Sequence, residues 1–115
     1  PRVRRVHHPG RRDHPQHERV RRLFRRPGAL FSFELDPEID PFAFMNAQTV
    51  VIKSSNLGDN RTLAIPVAHT IYHEMGPERR ASMGIADGLV RVSTGIEDTQ
   101  DLIEDFRGAL NRVAR

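Results

Sequence analysis

The chain has 115 residues, enough for one domain with a modest core. It contains no cysteine, which excludes disulfides, thiolate metal sites and cysteine nucleophiles and is typical of a cytoplasmic protein. No apolar run is long enough to cross a bilayer, and the arginine-rich start lacks the apolar segment of a signal peptide. We therefore expect neither a membrane span nor a secretion signal.

The net charge of +3 conceals an asymmetric distribution. Residues 1–27 carry ten arginines against Asp13 and Glu18, a balance of +8, whereas residues 28–115 carry a balance of −5. We predict a basic arm that includes the first helix over residues 1–27, and an α+β body over residues 28–115. A basic arm before an acidic body is typical of proteins that bind nucleic acid or an acidic partner.

The first third of the chain predicts extended structure, then a helix, then a strand. Residues 1–15 contain three prolines and a glycine, so we expect extended chain and turns there. Residues 16–24 predict a helix, and residues 29–35 alternate as a strand with one better-buried face. The apolar face of the helix consists of Val20, Leu23 and Phe24.

The middle third predicts a capped helix and two strands. Asp40 is a suitable N-cap because Pro41 follows it at the first helical position. This helix extends to about residue 48, and residues 49–54 and 61–65 predict strands. The side chains that we expect this helix to bury are Phe42, Phe44 and Met45.

The last third predicts a helical turn or loop at 68–75, a short helix at 77–83, a strand at 89–94 and a long helix capped by Asp98. The expected buried stripe of that helix is Leu102, Ile103, Phe106, Leu110 and Val113. The order of elements predicts an α+β fold. We expect a small, mostly antiparallel four-stranded sheet with helices packed on one face.

Arg91 is the most informative single residue, because it lies in the middle of the apolar strand at 89–94. A guanidinium among apolar neighbours is costly unless it is paired, and its planar fork matches a carboxylate. Two interpretations follow from the residues alone. Either Arg91 binds the carboxylate of a ligand, or it is a surface arginine on an edge strand.

The segment around Arg91 resembles a known family. Residues 83–106, MGIADGLVRVSTGIEDTQDLIEDF, are similar to the C-terminal segment of the Cys/Met-metabolism enzymes that depend on pyridoxal phosphate (PLP). These fold-type I enzymes include cystathionine γ-synthase and γ-lyase, methionine γ-lyase and O-acylhomoserine sulfhydrylase. The resemblance implies that Arg91 holds the α-carboxylate of an amino-acid substrate.

A second motif of the family corresponds to the polar loop SSNLGD, residues 54–59. It resembles the S-L-G or N-L-G loop at the wall of the active site, and this implies that Asn56 contacts the substrate. From the residues alone, an ordinary turn remains the alternative. The next segment departs from the family pattern, since IPVAHTI at 65–71 replaces H-P-A-S-x-T-H.

The histidines do not form a recognised metal motif. His69 and His73 are spaced i, i+4, but the zincin order His-Glu-x-x-His is absent and no third ligand is evident. A second group of histidines lies in sequence motifs that resemble the family's V-x-x-P-G and S-H-P-Q-H-E. We predict no metal site in either group. The members of the second group are His7, His8, His14 and His17.

The resemblance covers only one part of these enzymes. It implies that the Schiff-base lysine and the PLP pocket lie in a missing N-terminal domain, and that the parent enzyme is a homotetramer. Lys53 lacks the sequence context of a Schiff-base lysine. We therefore expect no PLP and no catalytic residue in this chain alone. The predicted function is substrate binding in a trans-sulfuration enzyme that performs elimination or γ-replacement on cystathionine, methionine or an acylhomoserine.

The alternative prediction is a basic module that binds nucleic acid or an acidic partner. The arginines of the first helix could neutralise several phosphates. Phe24 is the single aromatic residue among them, too few for an interleaved series that stacks bases, and no helix-turn-helix or RRM motif occurs. Nucleic acid is thus the less favoured partner. The arginines in question are Arg19, Arg21, Arg22, Arg25 and Arg26.

Overall fold

A computed structural model describes residues 2–113. The strands are β1 (Val3–His7), β2 (Leu30–Leu35), β3 (Ile52–Lys53), β4 (Leu63–Pro66) and β5 (Leu89–Ser93). The helices are α1 (His17–Leu23), α2 (Pro41–Ala47), α3 (Pro77–Ser82) and α4 (Thr99–Val113), with a 3-10 turn at His73–Met75. In the described part of the chain, no helix combines the length and apolar character needed to cross a membrane.

The sheet has five strands in the order β1-β2-β5-β4-β3. Neighbours are antiparallel except β3 and β4, which are parallel. The α+β class is confirmed, but the prediction of four strands is wrong. The additional strand is β1, which lies in the segment that we expected to be only extended chain and turns. Its alternation is obscured in sequence by two neighbouring arginines, both exposed on the sheet edge.

The core lies between one face of the sheet and helices α2 and α4. Phe33 of β2 is central to it, with its ring 5.7 Å from that of Phe44 on α2 and 6.0 Å from that of Phe106 on α4. Val90 and Val92 of β5 are fully buried on the same face. The predicted first helix is present as α1, and none of its residues is fully buried.

The predicted helix caps are confirmed. Asp40 accepts a hydrogen bond from the amide of Phe42 at 2.9 Å, and Asp98 accepts one from Gln100 at 2.9 Å. Two predicted buried side chains are instead exposed, Phe42 to 44% and Ile103 to 43%. The face that α4 buries is rotated toward Asp105 and Ala109.

Asp105 is buried because it serves as an acceptor for the segment that follows α2. Its two carboxylate oxygens accept hydrogen bonds from the amides of Thr49, Val50 and Val51 at 2.7–3.1 Å, and from the Thr49 hydroxyl at 3.0 Å. Only Ile52 and Lys53 pair as strand β3, so the predicted strand at 49–54 is shorter than expected. The amides of 49–51 bind to α4 instead of to the sheet.

Candidate functional site

Arg91 occupies a central strand of the sheet. Strand β5 lies between β2 and β4, and Arg91 is paired with Ser32 on one side and Ile65 on the other. The interpretation as an edge-strand arginine is therefore wrong. Because Val90 and Val92 point into the core, alternation directs Arg91 to the opposite face of the sheet, where it is half-buried.

The guanidinium of Arg91 binds a neutral acceptor of the chain. Its Nη2 donates to the carbonyl oxygen of Ser55 at 2.7 Å. Within residues 2–113, no carboxylate forms an ion pair with it. The positive charge is thus held in place by the backbone without being neutralised.

The loop at residues 54–58 lies beside Arg91. Its amide at Gly58 donates to the Ser93 hydroxyl at 2.8 Å, and its carbonyl at Ser55 accepts from Arg91. Gly58 has φ of +76°, a conformation that favours glycine. Asn56 and Leu57 lie between these two attachments, and both are exposed. The structure therefore places the loop that carries Asn56 against the strand that carries Arg91.

Gly95 and Glu97, which follow Ser93, attach the end of β5 to the start of β4. Glu97 accepts hydrogen bonds from the amide of Thr62 at 2.6 Å and from its hydroxyl at 2.7 Å. The amide of Gly95 donates to the same hydroxyl at 2.9 Å. A side chain at Gly95 would collide with the backbone of Asn60 and Arg61. This close approach is why glycine is needed there.

Sequence reasoning did not assign these attachments. The signal that indicates them is a glycine soon after a strand, followed two residues later by an acidic residue without a basic neighbour. Burial raises the pKa of Glu97, but the hydrogen bonds from Thr62 outweigh it and leave that pKa lowered. The Glu97 carboxylate therefore stays charged while it holds Thr62.

The loop is also stabilised within itself by Asp59 and Arg61. The Asp59 carboxylate accepts from the amide of Arg61 at 2.8 Å and from its guanidinium at 3.0 and 3.2 Å. These hydrogen bonds lower the pKa of Asp59 to about 2. Because Arg61 satisfies Asp59 locally, this carboxylate does not compete with a ligand for Arg91.

The histidines of the basic arm bind different partners. The His7 ring contacts the Glu34 carboxylate at 2.9 Å, the His8 ring donates to the Gly28 carbonyl at 3.1 Å, and the His17 ring donates to the Pro9 carbonyl at 2.8 Å. The His69 ring stacks obliquely near Phe42, with centroids 5.8 Å apart. Among the described residues, no three potential ligands are grouped to hold a metal ion.

Lys53 does not fit the role of a Schiff-base lysine. It lies on the short strand β3, its side chain is exposed, and its Nζ donates to the Asn46 side chain at 2.7 Å. A lysine that forms Schiff bases is activated by a desolvated pocket or a neighbouring cation, and Lys53 has neither environment. The environment of Lys53 in this structure is thus unsuited to the formation of a Schiff base.

The chain is similar to known enzymes over nearly all of its length. A family model described as Cys/Met metabolism PLP-dependent enzyme matches residues 1–111. The chain is 39% identical to an O-succinylhomoserine sulfhydrylase of Mycobacterium tuberculosis over 96% of its length, and 38% identical to an L-methionine gamma-lyase of Pseudomonas putida over 99%. It spans 29% of the length of each of these relatives.

The fold is likewise that of solved relatives. The crystal structure of a cystathionine gamma-lyase from Lactobacillus plantarum complexed with L-serine superposes with a TM-score of 0.92 and 28% identity. The superposition covers 99% of this chain and 30% of that one. Since the family model matches nearly all of the sequence and the relatives share more than a third of its residues, the chain belongs to the Cys/Met metabolism family of PLP-dependent enzymes.

Proposed function

We propose that the chain is the C-terminal domain of a cytoplasmic trans-sulfuration enzyme and that it supplies the site for the α-carboxylate of the substrate. The observation that carries the proposal is the position of Arg91. Its guanidinium lies on the face of a central strand opposite the core, beside a glycine-containing loop, and among the described residues its one hydrogen-bond acceptor is a backbone carbonyl. A substrate carboxylate is a stronger, charged acceptor that fits the same planar fork.

Asn56 is the second proposed contact. It is exposed on the loop that Arg91 and Ser93 hold, next to the carbonyl that Arg91 binds. An asparagine side chain offers both a donor and an acceptor, which suits the polar groups of an amino acid. We propose that Asn56 lines the pocket and orients the part of the substrate that extends from its carboxylate.

The remaining chemistry belongs to the parent enzyme. PLP provides the electron sink for reactions at amino-acid carbons in this family. We propose that the Schiff-base lysine lies in a large N-terminal domain, that the parent is a homotetramer, and that the 115-residue chain is inactive alone. Residues 1–27 and 28–115 would then be the arm and the body of one C-terminal domain. The substrates proposed for the parent are cystathionine, methionine or an acylhomoserine.

The first test uses the chain and the full-length enzyme together. We expect the purified chain mixed with PLP to develop no Schiff-base absorbance, and the full-length enzyme to develop it and to act on the amino-acid substrate. Replacing Arg91 with alanine in the full-length enzyme should lower kcat/KM by about 30- to 1,000-fold, which corresponds to about 2–4 kcal/mol. Arg91→Lys should recover only part of the loss, because a lysine cannot make both hydrogen bonds.

A substrate analogue separates this role from general damage. With the α-carboxylate replaced by an amide, wild-type enzyme should lose most of its activity while Arg91→Ala changes little further. The matched control is Arg79→Ala on α3, an exposed arginine outside the site, which should leave both substrates unaffected. If Arg91→Ala lowers activity equally for carboxylate and amide substrates, Arg91 does not bind the carboxylate.

A second candidate function is supported by helix α1. The helix buries no residue, and Leu23 and Phe24 are exposed to 68% and 61% beside its arginines. Such a cationic surface with apolar side chains suits an acidic partner or nucleic acid. In this alternative the basic arm, rather than Arg91, would be the binding site.

A further inference from the structure

Arg80 of α3 is the only buried arginine in the part of the chain that the structure describes. Its Nη1 donates to the carbonyl oxygens of Tyr72 and His73 at 3.3 and 3.1 Å. Its Nη2 lies 4.0 Å from the carboxylate of Asp87, a side chain that is 77% exposed. Its Nε has no hydrogen-bond partner within residues 2–113. The guanidinium thus depends mainly on two backbone carbonyls.

A charge in this environment is costly, because burial removes the guanidinium from water and no close carboxylate compensates for it. An apolar side chain of similar volume would fill the same space without that cost. What the guanidinium adds is the pair of hydrogen bonds to residues 72 and 73, where the 3-10 turn begins. Among the described residues, no other side-chain hydrogen bond joins α3 to residues 67–75. The role of Arg80 therefore depends on what this segment holds.

The segment is hydrogen-bonded to the strand of the candidate site. The amide of Tyr72 donates to the carbonyl of Val67 at 3.0 Å, and the amide of Val67 donates to the carbonyl of Leu89 at 3.1 Å. Leu89 begins β5 and lies two residues before Arg91. Residues 67–88 connect β4 to β5, and α3 closes that connection across its middle through its buried guanidinium.

We propose that Arg80 is a positioning residue for Arg91. It fixes the segment that is bonded to the start of β5, and β5 in turn directs the Arg91 guanidinium to the carbonyl of Ser55. Ile65 of β4 pairs directly with Arg91, so both strands that the connection joins border the site. This role rests on the proposed function, because it assumes that Arg91 binds the substrate carboxylate.

Steady-state kinetics of the full-length enzyme gives the first measurement. Arg80→Met removes both hydrogen bonds while keeping an unbranched side chain that fills much of the space. We expect KM for the amino-acid substrate to rise by about 3- to 30-fold, since Arg91 is then less well oriented before substrate binds. The value of kcat should change by less than about twofold, because a saturating carboxylate restores the orientation.

Two further variants show which property of Arg80 matters. Arg80→Lys keeps a charged donor that can reach the same carbonyls, and it should recover part of the loss in KM. Arg79→Met is the matched control, because Arg79 is the exposed neighbour on the same helix. It should leave KM and kcat unchanged. An equal rise in KM for both methionine variants would overturn the role of Arg80.

A double-mutant cycle separates positioning from general damage. In enzyme that already carries Arg91→Ala, Arg80→Met should change kcat/KM by less than about twofold, because no guanidinium remains to be oriented. A purely structural defect would lower activity by the same factor in both backgrounds. If Arg80→Met yields no folded enzyme, Arg80→Lys takes its place, and its smaller rise in KM must likewise disappear when Arg91 is absent.

The outcomes distinguish this role from the proposed function. Additive effects of the two substitutions, in an enzyme where Arg91→Ala discriminates carboxylate from amide substrate, reject the positioning role alone. If Arg91→Ala lowers activity equally for both substrates, the proposed function fails and the positioning role fails with it. Loss of the Arg80→Met effect only in the Arg91→Ala background supports both.

Discussion

Ser93, Gly95 and Glu97 contact the loop of the candidate site and the residues after it in three different ways. Ser93 accepts a hydrogen bond from the loop, Gly95 allows the backbones to approach, and Glu97 binds Thr62 at the start of β4. Arg91 begins the same motif and donates to the loop as well. Arg91 and Ser93 therefore hold the loop that carries Asn56, and Gly95 and Glu97 contact residues 60–62, which follow it. The spacing of residues 91, 93, 95 and 97 thus has a structural explanation, in addition to the contact with substrate that we propose for Arg91.

The close approach at Gly95 leads to the first prediction. Gly95→Ala should destabilise the chain by about 2–3 kcal/mol, because the new methyl group would force apart the backbones at 60–61 and 95. Urea unfolding measures the change. Gly108→Ala is the control, since a side chain there meets no atom within 4 Å and the residue lies inside α4. It should stabilise by about 0.5–1 kcal/mol, and equal destabilisation by both substitutions would contradict the explanation.

The four hydrogen bonds at Asp105 lead to a second prediction. In Asp105→Asn, one carboxylate oxygen becomes an amino group that cannot accept, so at least one backbone amide among 49–51 loses its partner. We expect a loss of about 2–4 kcal/mol in the free energy of unfolding. Glu104→Gln, on the exposed side of the same helix, should change it by less than about 0.5 kcal/mol. A similar small effect at Asp105 would mean that the segment 49–51 finds other acceptors.

At the scale of elements, helices with clear caps were predicted well. Asp40 before Pro41 and Asp98 before α4 are local signals, and local hydrogen bonds satisfy them. The strand β1 could not be predicted, because its partner β2 is more than twenty residues away and its own residues include two exposed arginines. For α4 the prediction was right about Leu102, Phe106, Leu110 and Val113, which pack on the core, and wrong about Ile103. The full buried face of the helix could not be predicted for a related reason. Its orientation depends on the acceptor role of Asp105, which is a tertiary contact.

The candidate site was predictable in part from the same kind of information. Alternation along β5 places Arg91 opposite the core, but its central position depends on β2 and β4 pairing from both sides. Whether the loop at 54–58 reaches Arg91 is likewise a matter of tertiary structure. The contacts of Ser93 and Glu97 are to residues 35 positions away, so local patterns could not reveal them.

Helix α1 leads to a prediction for the second candidate function. Binding of single-stranded RNA to the chain should be detectable at low salt and should weaken steeply as salt rises, because five arginines of residues 19–26 can displace counterions. Replacing Arg21, Arg22 and Arg25 with glutamine should reduce the slope of log K against log salt by about 2. Fluorescence anisotropy measures both quantities.

The control for this helix replaces Arg79 and Arg107, which lie outside the basic arm, and should leave the slope nearly unchanged. Binding that disappears at physiological salt would favour the role as an enzyme domain, with α1 docked on an acidic part of the parent. Micromolar binding that persists there would favour the nucleic-acid module.

At the scale of the molecule, Asp105 and Glu97 connect segments that are distant in sequence. Asp105 joins α4 to residues 49–51, and Glu97 joins the end of β5 to the start of β4. Burial raises the pKa of Asp105, but the hydrogen bonds from Thr49, Val51 and Val50 together leave it lowered. The pKa of Glu97 is lowered in the same way. Acid should therefore weaken both connections, and with them the arrangement of the sheet and α4.

The final prediction concerns stability as a function of pH. Since both carboxylates have lower pKa values in the folded chain, their contribution is fully present above the unfolded values of about 4 and is lost as pH falls through the folded values. We expect the free energy of unfolding to decline from about pH 5 downward. The double variant Glu97→Gln with Asp105→Asn should be less stable at pH 7 and show a flatter decline. Urea unfolding at about pH 7, 5 and 3.5 measures the stability at neutral pH and its decline in acid.

The control for that experiment is Asp13→Asn. The pKa of Asp13 is lowered too. The hydrogen bonds from Arg11 that lower the pKa of Asp13 are on the exposed surface, where water and salt screen the pair. The variant should follow the wild-type curve at every pH. If it flattened the decline as much as the double variant, acid sensitivity would arise from surface charge in general. If only the double variant shows the flatter decline, the acid sensitivity arises from the carboxylates of Glu97 and Asp105, which join distant segments.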